Sequence, residues 1–468
     1  MIRRRALLAT PALLPAVAAA QTAPPVKQDD TVGPGLRRGV LIRWGDRVTF
    51  DAPPFDPNNV DAEGASAQFG WDARIAAQIV PPIAADGVTR AVLAVAHPTV
   101  EAAMAFPNGL DRPDVAAQMQ GASLLNLELQ GGRWIVVDGG FQSRRLTASS
   151  LCRVSGPLAE QVGTSVQGVL GVNGGAATPW ASLLLAEGDP ALWSSRLGGL
   201  DRRFLRGEGF GWLVELDPLD PHAIPVKRTA LGRFGKADAA AAQARGGQAV
   251  VYVAERGAGG YLFRFVSAGP AGDADALDRG TLSVAQLQNG RITWLPLPEG
   301  AASNPVEAAR AANAMAFDAP SSLFWDARGN RLLFTGGFGL LGLSPDGGDP
   351  AAPGMAGNMI NTQRLGAVQT ATADARGRLL VGTDTGGPVG TRAQTLWALE
   401  GGNATALYGA ARAAGIGNAV ASPDGGTIFT VARRPGAEPG ATFNRPATRW
   451  PEFEPGMPPR SALLSLAR

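Results

Sequence analysis

Two histidines, His97 and His222, and one cysteine, Cys152, are the chain's whole stock of imidazole and thiol side chains. A His-rich or Cys-rich zinc site is therefore excluded, no internal disulfide can form, and any metal must be held mainly by oxygen. Among the carboxylates Glu187 stands out, because it follows the apolar run Leu183-Leu184-Leu185-Ala186. An acid beside a segment that must be buried is either paired to a base or part of a site. His97 closes the run Ala91 to Ala96 and precedes Pro98, so it ends a strand, as a structural imidazole or as a site residue at a rim. Asp384, in Gly382-Thr383-Asp384-Thr385, also closes a strand and reads as a turn cap. Cys152, in the alternating Leu151-Cys152-Arg153-Val154, reads as a buried small hydrophobe. The glycine-rich Gly386-Gly387-Pro388-Val389-Gly390 lacks the Lys-Ser/Thr of a phosphate loop. No Gly-x-Ser-x-Gly elbow or Ser/His/Asp arrangement stands out, so a triad hydrolase has no support.

Elements that could position such residues are short strands. The 468 residues are 45% hydrophobic and 18% charged, with 62 Gly and 36 Pro spread throughout. That composition buries a large core and argues against a long helical bundle. Apolar runs of strand length lie between turn signals at 39–44, 91–96, 134–137, 212–216, 249–253, 261–266, 332–334, 379–381 and 427–431. A polar turn leading into a strand, Asp326-Ala327-Arg328-Gly329-Asn330-Arg331-Leu332-Leu333, recurs 48 residues later at Asp374 to Leu380 and more loosely at Pro423 to Phe429. Leu129-Gln130-Gly131-Gly132-Arg133 and Leu287-Gln288-Asn289-Gly290-Arg291 place Gly and Asn where tight hairpins need positive φ. Strand repeats of 40 to 50 residues are the signature of propeller blades. We expect an all-β propeller of about six blades, with inserted loops and a few short helices, Val115 to Gln120 and Val306 to Met315 among them. The strand near Ser461 to Leu466 should help to close the ring.

The N-terminus has a charged start, an apolar stretch from Ala6 and a small-residue end at Ala18-Ala19-Ala20, the pattern of a cleavable signal over residues 1–20. Arg4-Arg5-Ala6-Leu7-Leu8 resembles a twin-arginine signal, so a periplasmic or secreted product is expected. Residues 21–35, rich in Pro, Gly and Asp, read as a flexible lead-in, and 36–468 as one propeller domain. No later apolar stretch is long enough to span a membrane. Without Arg3, Arg4 and Arg5 the basic count is 39 against 40 acidic. That near-neutral balance makes nucleic acid an unlikely partner.

Several segments resemble the PhoX-type alkaline phosphatases: Leu41-Ile42-Arg43-Trp44-Gly45-Asp46, Thr178-Pro179-Trp180, Gly211 to Pro221, the run Pro225-Val226-Lys227-Arg228-Thr229-Ala230-Leu231-Gly232-Arg233-Phe234, Phe265-Val266-Ser267, Thr442-Phe443-Asn444 and Trp450-Pro451. The resemblance implies a six-bladed propeller and a centre of iron and calcium ions held by a cysteine and many carboxylates. It also implies that most of those ligands are replaced here. The cysteine position is Asn173, a Glu-Glu pair is Glu187-Gly188, and a His-Glu pair is Lys236-Ala237. A Gly-Asp-Asp is Ala254-Glu255-Arg256, an Asn-His-Glu is Ala96-His97-Pro98, and an Asp-Arg-Pro-Glu is Asp318-Ala319-Pro320-Ser321.

From this we expect a largely lost metal site and a protein weak or inactive as a phosphomonoesterase, with no cofactor bound. Candidate catalytic residues are Glu187, His97 and Asp318, and the remnant metal ligands are Glu187, Glu255 and Asp318. Lys236 and Arg256 are candidates for anion binding, directed at a small phosphate ester or another anion. The competing expectation is an active phosphatase or phosphodiesterase with a rearranged Ca²⁺ site, and a third is a propeller that only binds a partner.

Overall fold

A computed structural model describes residues 22–360, 365–386 and 390–468. The leader expected over residues 1–20 and residues 387–389 of the glycine-rich stretch lie outside them. The strands form six antiparallel four-stranded units, five of them built from strands consecutive in sequence, each a blade whose first strand faces the axis. The six inner strands are Arg74–Ile79, Gly174–Ala177, Lys236–Gln243, Ser322–Asp326, Val368–Ala373 and Gly415–Ala421. Each packs on the next, and the last packs back on the first, so the ring is closed.

Closure joins the two ends of the chain. Blade six takes Thr427–Arg433 as its second strand, Ala462–Ala467 as its third and the N-terminal Arg37–Arg43 as its outer strand. The expected C-terminal closing strand is thus present. The lead-in read as flexible from its composition is tied to blade five instead. Thr31 and Val32 pair with Gly409 and Tyr408, and Asp30 accepts a hydrogen bond from the Tyr408 hydroxyl.

The repeated turns occupy equivalent places. Asp326 joins the first two strands of blade four and accepts from Gly329 N and Arg331 Nε, while Asp374 does the same in blade five with Arg376 N, Arg378 N and Arg378 Nε. In the two tight hairpins Gly131, Gly132, Asn289 and Gly290 all have positive φ, which lets the turn follow the strand twist. Apolar side chains fill the spaces between blades, as where Leu184, Leu213 and Ala241 meet Val251 and Phe263.

The weak repeat of the N-terminal half has a structural cause. Long insertions follow the second strands of blades one, two and six, at 98–120, 187–212 and 434–461. They carry short helices such as Pro113–Met119 and Pro190–Leu197. The later helical candidate is observed as Pro305–Ala311.

Candidate functional site

Pairing register defines one end of the axis. The first residues of the inner strands pair with Ala96, Ala186, Glu255, Thr335, Thr383 and Arg433 of the second strands. One residue further along stand His97, Glu187, Arg256, Gly336, Asp384 and Arg434. The side chains singled out from the sequence at 97, 187, 256 and 384 are therefore the same position in four blades, all brought to one mouth of the propeller.

Most of them are already engaged. His97 is fully buried. Its Nδ1 donates to the Asp72 carbonyl at 2.5 Å, which leaves Nε2 to accept from the Ser123 hydroxyl at 2.7 Å. Burial, reinforced by Arg145, holds the imidazole well below its ordinary pKa, so it is a neutral structural group. Glu187, with no exposed surface, pairs with Lys227 Nζ at 2.8 Å and accepts from Leu170 N and Trp212 N at 3.0 Å each. Lys227 also donates to Gly209 O at 2.8 Å and lies 4.5 Å from the Phe210 ring centre. This carboxylate, expected as a catalytic or metal-binding group, is instead half of an enclosed ion pair.

Lys236, expected to offer its charge to an anion, turns that charge inward. Its ammonium is fully buried and donates to Gly211 O, Gly232 O and Phe234 O at 2.5, 2.9 and 3.2 Å. Burial pushes its pKa down to about 7, against the pull of Glu187. Glu255 is partly buried, its pKa raised by burial, and accepts from Tyr261 N at 3.2 Å. Asp318 is exposed in the turn before the inner strand of blade four, where its carbonyl accepts from Gly337 N at 2.8 Å. Neither acid joins Glu187 in a ligand set. Among the described residues no three His, Cys, Asp or Glu side chains converge as a metal ion requires. Cys152 is buried in its strand, and burial raises its thiol to about 11.

What gathers at the mouth is a network of aspartates and arginines that the sequence reading, apart from Asp384 and Arg256, did not single out. Arg433 grips Asp72 with two bonds of 3.0 and 2.7 Å and reaches Asp384 at 3.3 Å. Arg434 donates to Asp384 at 3.0 Å and has Glu101 at 3.8 Å. Arg74 donates to Asp238 and to the Ser321 carbonyl, each at 2.9 Å. Arg256 donates to Asn173 Oδ1 at 2.6 Å, and Asn173 Nδ2 to Lys236 O at 2.7 Å.

The electrostatics follow from that pairing. Burial pushes the Asp72 carboxyl up, but Arg433 and Arg434 outweigh it and hold the group at about 2. Burial raises the Asp238 pKa despite Arg74. The acids sit against bare backbone, since a Cβ on Gly174 would collide with the Asp238 carboxylate and one on Gly415 with that of Asp384. A signal existed for these residues. Asp72, Arg74 and Asp238 are charges set among alanines at strand starts, and Arg433-Arg434 ends the apolar run Ile428 to Ala432.

The family model described as alkaline phosphatase PhoX matches residues 18–328. The chain belongs to the PhoX family. Pseudomonas fluorescens PhoX, solved with the transition-state analogue vanadate, superposes with a TM-score of 0.85 at 23% identity, over 96% of this chain and 98% of that one. A protein of unknown function from Dyadobacter fermentans aligns over 93% of this chain and 99% of its own, at 13% identity and a TM-score of 0.43. A Bacteroides uniformis protein described as a 6-phosphogluconolactonase aligns over 67% and 86%, at 12% identity and a TM-score of 0.31. No curated protein matches.

Membership in the PhoX family raises the question of whether these side chains suit the calcium and iron centre that the resemblance implies. Such ions need several oxygen donors with free lone pairs converging on one point. Here the axial carboxylates face guanidinium groups at 2.7 to 3.3 Å, and Glu187 faces an ammonium. The residues do not fit such a centre, and we derive no reaction step through it.

Proposed function

We propose that this chain is an exported PhoX-family propeller that does not run metal-dependent phosphate-ester hydrolysis at a useful rate and instead uses the mouth of its axis for anion binding. Export rests on the signal pattern of residues 1–20, and the loss of hydrolysis on the axial chemistry. Phosphoryl transfer needs concentrated positive charge, from metal ions or free Arg and Lys, aimed at the transferred group. The observation that carries the reading is that the cations of this site are protein groups already bound to protein acceptors. Arg433 and Arg74 neutralise Asp72 and Asp238, Lys227 neutralises Glu187, and Lys236 is capped by three carbonyls. Where the family resemblance implies a phosphate-holding arginine, this chain has Ala319.

The test is hydrolysis of an aryl phosphate by the purified mature protein, with added Ca²⁺ and with chelator. The reading expects a rate near background and the same in both conditions. A rate that rises with Ca²⁺ and is abolished by the chelator would overturn it.

A further inference from the structure

A recess of about 480 Å³, counted out into open solvent, lies between blades five and six. That size falls within the usual range for small-molecule sites, roughly 300–1,000 Å³. Blade five supplies Asp384, Arg392 and Gln394 to its walls, the insertions of blades one and six supply Glu101 and Arg434, and the lead-in supplies Val26. The lead-in wall is fixed in place. Val26 N donates to Thr391 O at 3.1 Å, Ala393 N to Pro24 O at 2.9 Å, and Arg392 Nη1 to Ala23 O at 2.9 Å.

Two of the four charged groups in this recess are matched to each other. Asp384 accepts from Arg434 Nη2 at 3.0 Å, and also from Arg433 Nη1 at 3.3 Å and Gly386 N at 2.9 Å. The other two keep bonding capacity unspent. Among the described residues Arg392 has no carboxylate within 4.0 Å, and its one side-chain bond, to Ala23 O, pins the guanidinium while leaving its remaining N–H groups without an acceptor. The Glu101 carboxylate accepts no hydrogen bond among the described residues, its nearest cation being Arg434 Nη1 at 3.8 Å. Partial burial raises its pKa against the pull of Arg434, as befits a carboxylate short of donors. Gln394 gives its side-chain N–H to Thr385 Oγ1 at 3.3 Å, which leaves its amide oxygen as an acceptor.

Glu101 and Asp384 balance Arg392 and Arg434, so the recess is neutral as a whole and selects a neutral guest. A simple anion would satisfy Arg392 but add negative charge beside two carboxylates, and a simple amine would do the reverse beside two guanidinium groups. A molecule that carries both charges satisfies both ends. In an α-amino acid the carboxylate matches the guanidinium fork, two N–H groups to two oxygens. Its ammonium has three donors for Glu101 and the Gln394 oxygen. The methyl groups of Ala393, Ala411 and Ala414 line the wall as well, which suits a short apolar side chain.

We propose that this recess binds a small α-amino acid as its zwitterion, with the carboxylate on Arg392 and the ammonium on Glu101 and Gln394. The inference goes beyond the anion-binding reading of the axis and uses different side chains to hold its ligand.

Calorimetric titration of the mature protein at pH 7 with L-alanine, N-acetyl-L-alanine, L-alaninamide and inorganic phosphate tests it. L-Alanine should bind with saturation, and the two blocked forms, each lacking one of the two charged groups, at least tenfold more weakly. Glu101→Gln and Arg392→Gln should each weaken L-alanine binding at least tenfold. Glu101→Gln should melt close to wild type without ligand, and its melting point should lose the rise that L-alanine gives wild type. Arg392 also pins the lead-in, so if Arg392→Gln fails to fold, Glu101→Gln, which leaves that anchor untouched, decides the matter. Equal binding of a blocked form, or unchanged affinity in Glu101→Gln, overturns the proposal. Binding of phosphate without binding of L-alanine overturns it and leaves the anion-binding reading standing. Binding of L-alanine by a protein that also shows Ca²⁺-dependent phosphatase activity supports it and overturns that reading instead.

Discussion

Replacing Glu187 by Gln separates a structural carboxylate from a metal ligand. In wild type the two oxygens serve Lys227 Nζ at 2.8 Å and the amides of Leu170 and Trp212 at 3.0 Å, all without solvent. Glutamine keeps one acceptor but turns an NH₂ toward groups that are themselves donors. Lys227 then stays buried with only Gly209 O and the Phe210 ring to support its charge. Removing one partner of a buried pair costs about 3–5 kcal/mol. We therefore expect a loss of about 4 kcal/mol in urea unfolding and a clear drop in melting temperature. Lys227→Met should be similarly damaging. Because each single change strands its partner, the double variant should be less destabilised than the sum of the two by about 2 kcal/mol, a coupling of the size direct neighbours show. A Glu187→Gln protein that melts with wild type but loses bound metal would refute this reasoning.

The depressed pKa of Lys236, about 7 against 10.5 for a free lysine, predicts a pH effect of definite sign. The unfolded chain holds more protons between those values, so the burial penalty is full below pH 7 and fades as pH rises toward 10.5. Melting temperature measured from pH 7 to 9.5 should carry a rising contribution that Lys236→Met abolishes. Deleting residues 22–34 removes the edge strand on blade five together with its bonds to residues 391–393, Arg412, Thr448 and the buried Tyr408 hydroxyl, and should lower the melting temperature. Deleting through Arg43 removes the outer strand of blade six, with the buried Ile42, and should leave no soluble folded protein on size-exclusion chromatography. Changing Arg4 and Arg5 together to Lys should stop mature protein from accumulating in the periplasm, as fractionation and blotting would read.

Propeller architecture was legible because blades are local. Runs such as Ala91 to Ala96 pair with their sequence neighbours, and the turns at Asp326 and Asp374 repeat because neighbouring blades repeat. The lead-in misled because Thr31 and Val32 find their partners near residue 409, and pairing at that distance leaves no mark on composition. The axial site was hidden for the same reason. Asp72 meets Arg433 across 361 residues and Arg74 meets Asp238 across 164, so each looks like a solitary charge beside alanines. Lys227 lay in plain view within a matched run. Its pairing with Glu187 depends on both side chains turning into the same dry space in blade two, which no spacing announces.

Elemental analysis of the purified mature protein, without added metal and after dialysis against micromolar Ca²⁺ and iron, tests the account most directly. Arginine and lysine charges that already neutralise the axial carboxylates should repel further cations. The prediction is well under one equivalent of iron or calcium per chain in either sample, with an unchanged melting temperature. Stoichiometric iron or calcium, removable by chelator with loss of stability or of phosphatase activity, would contradict it.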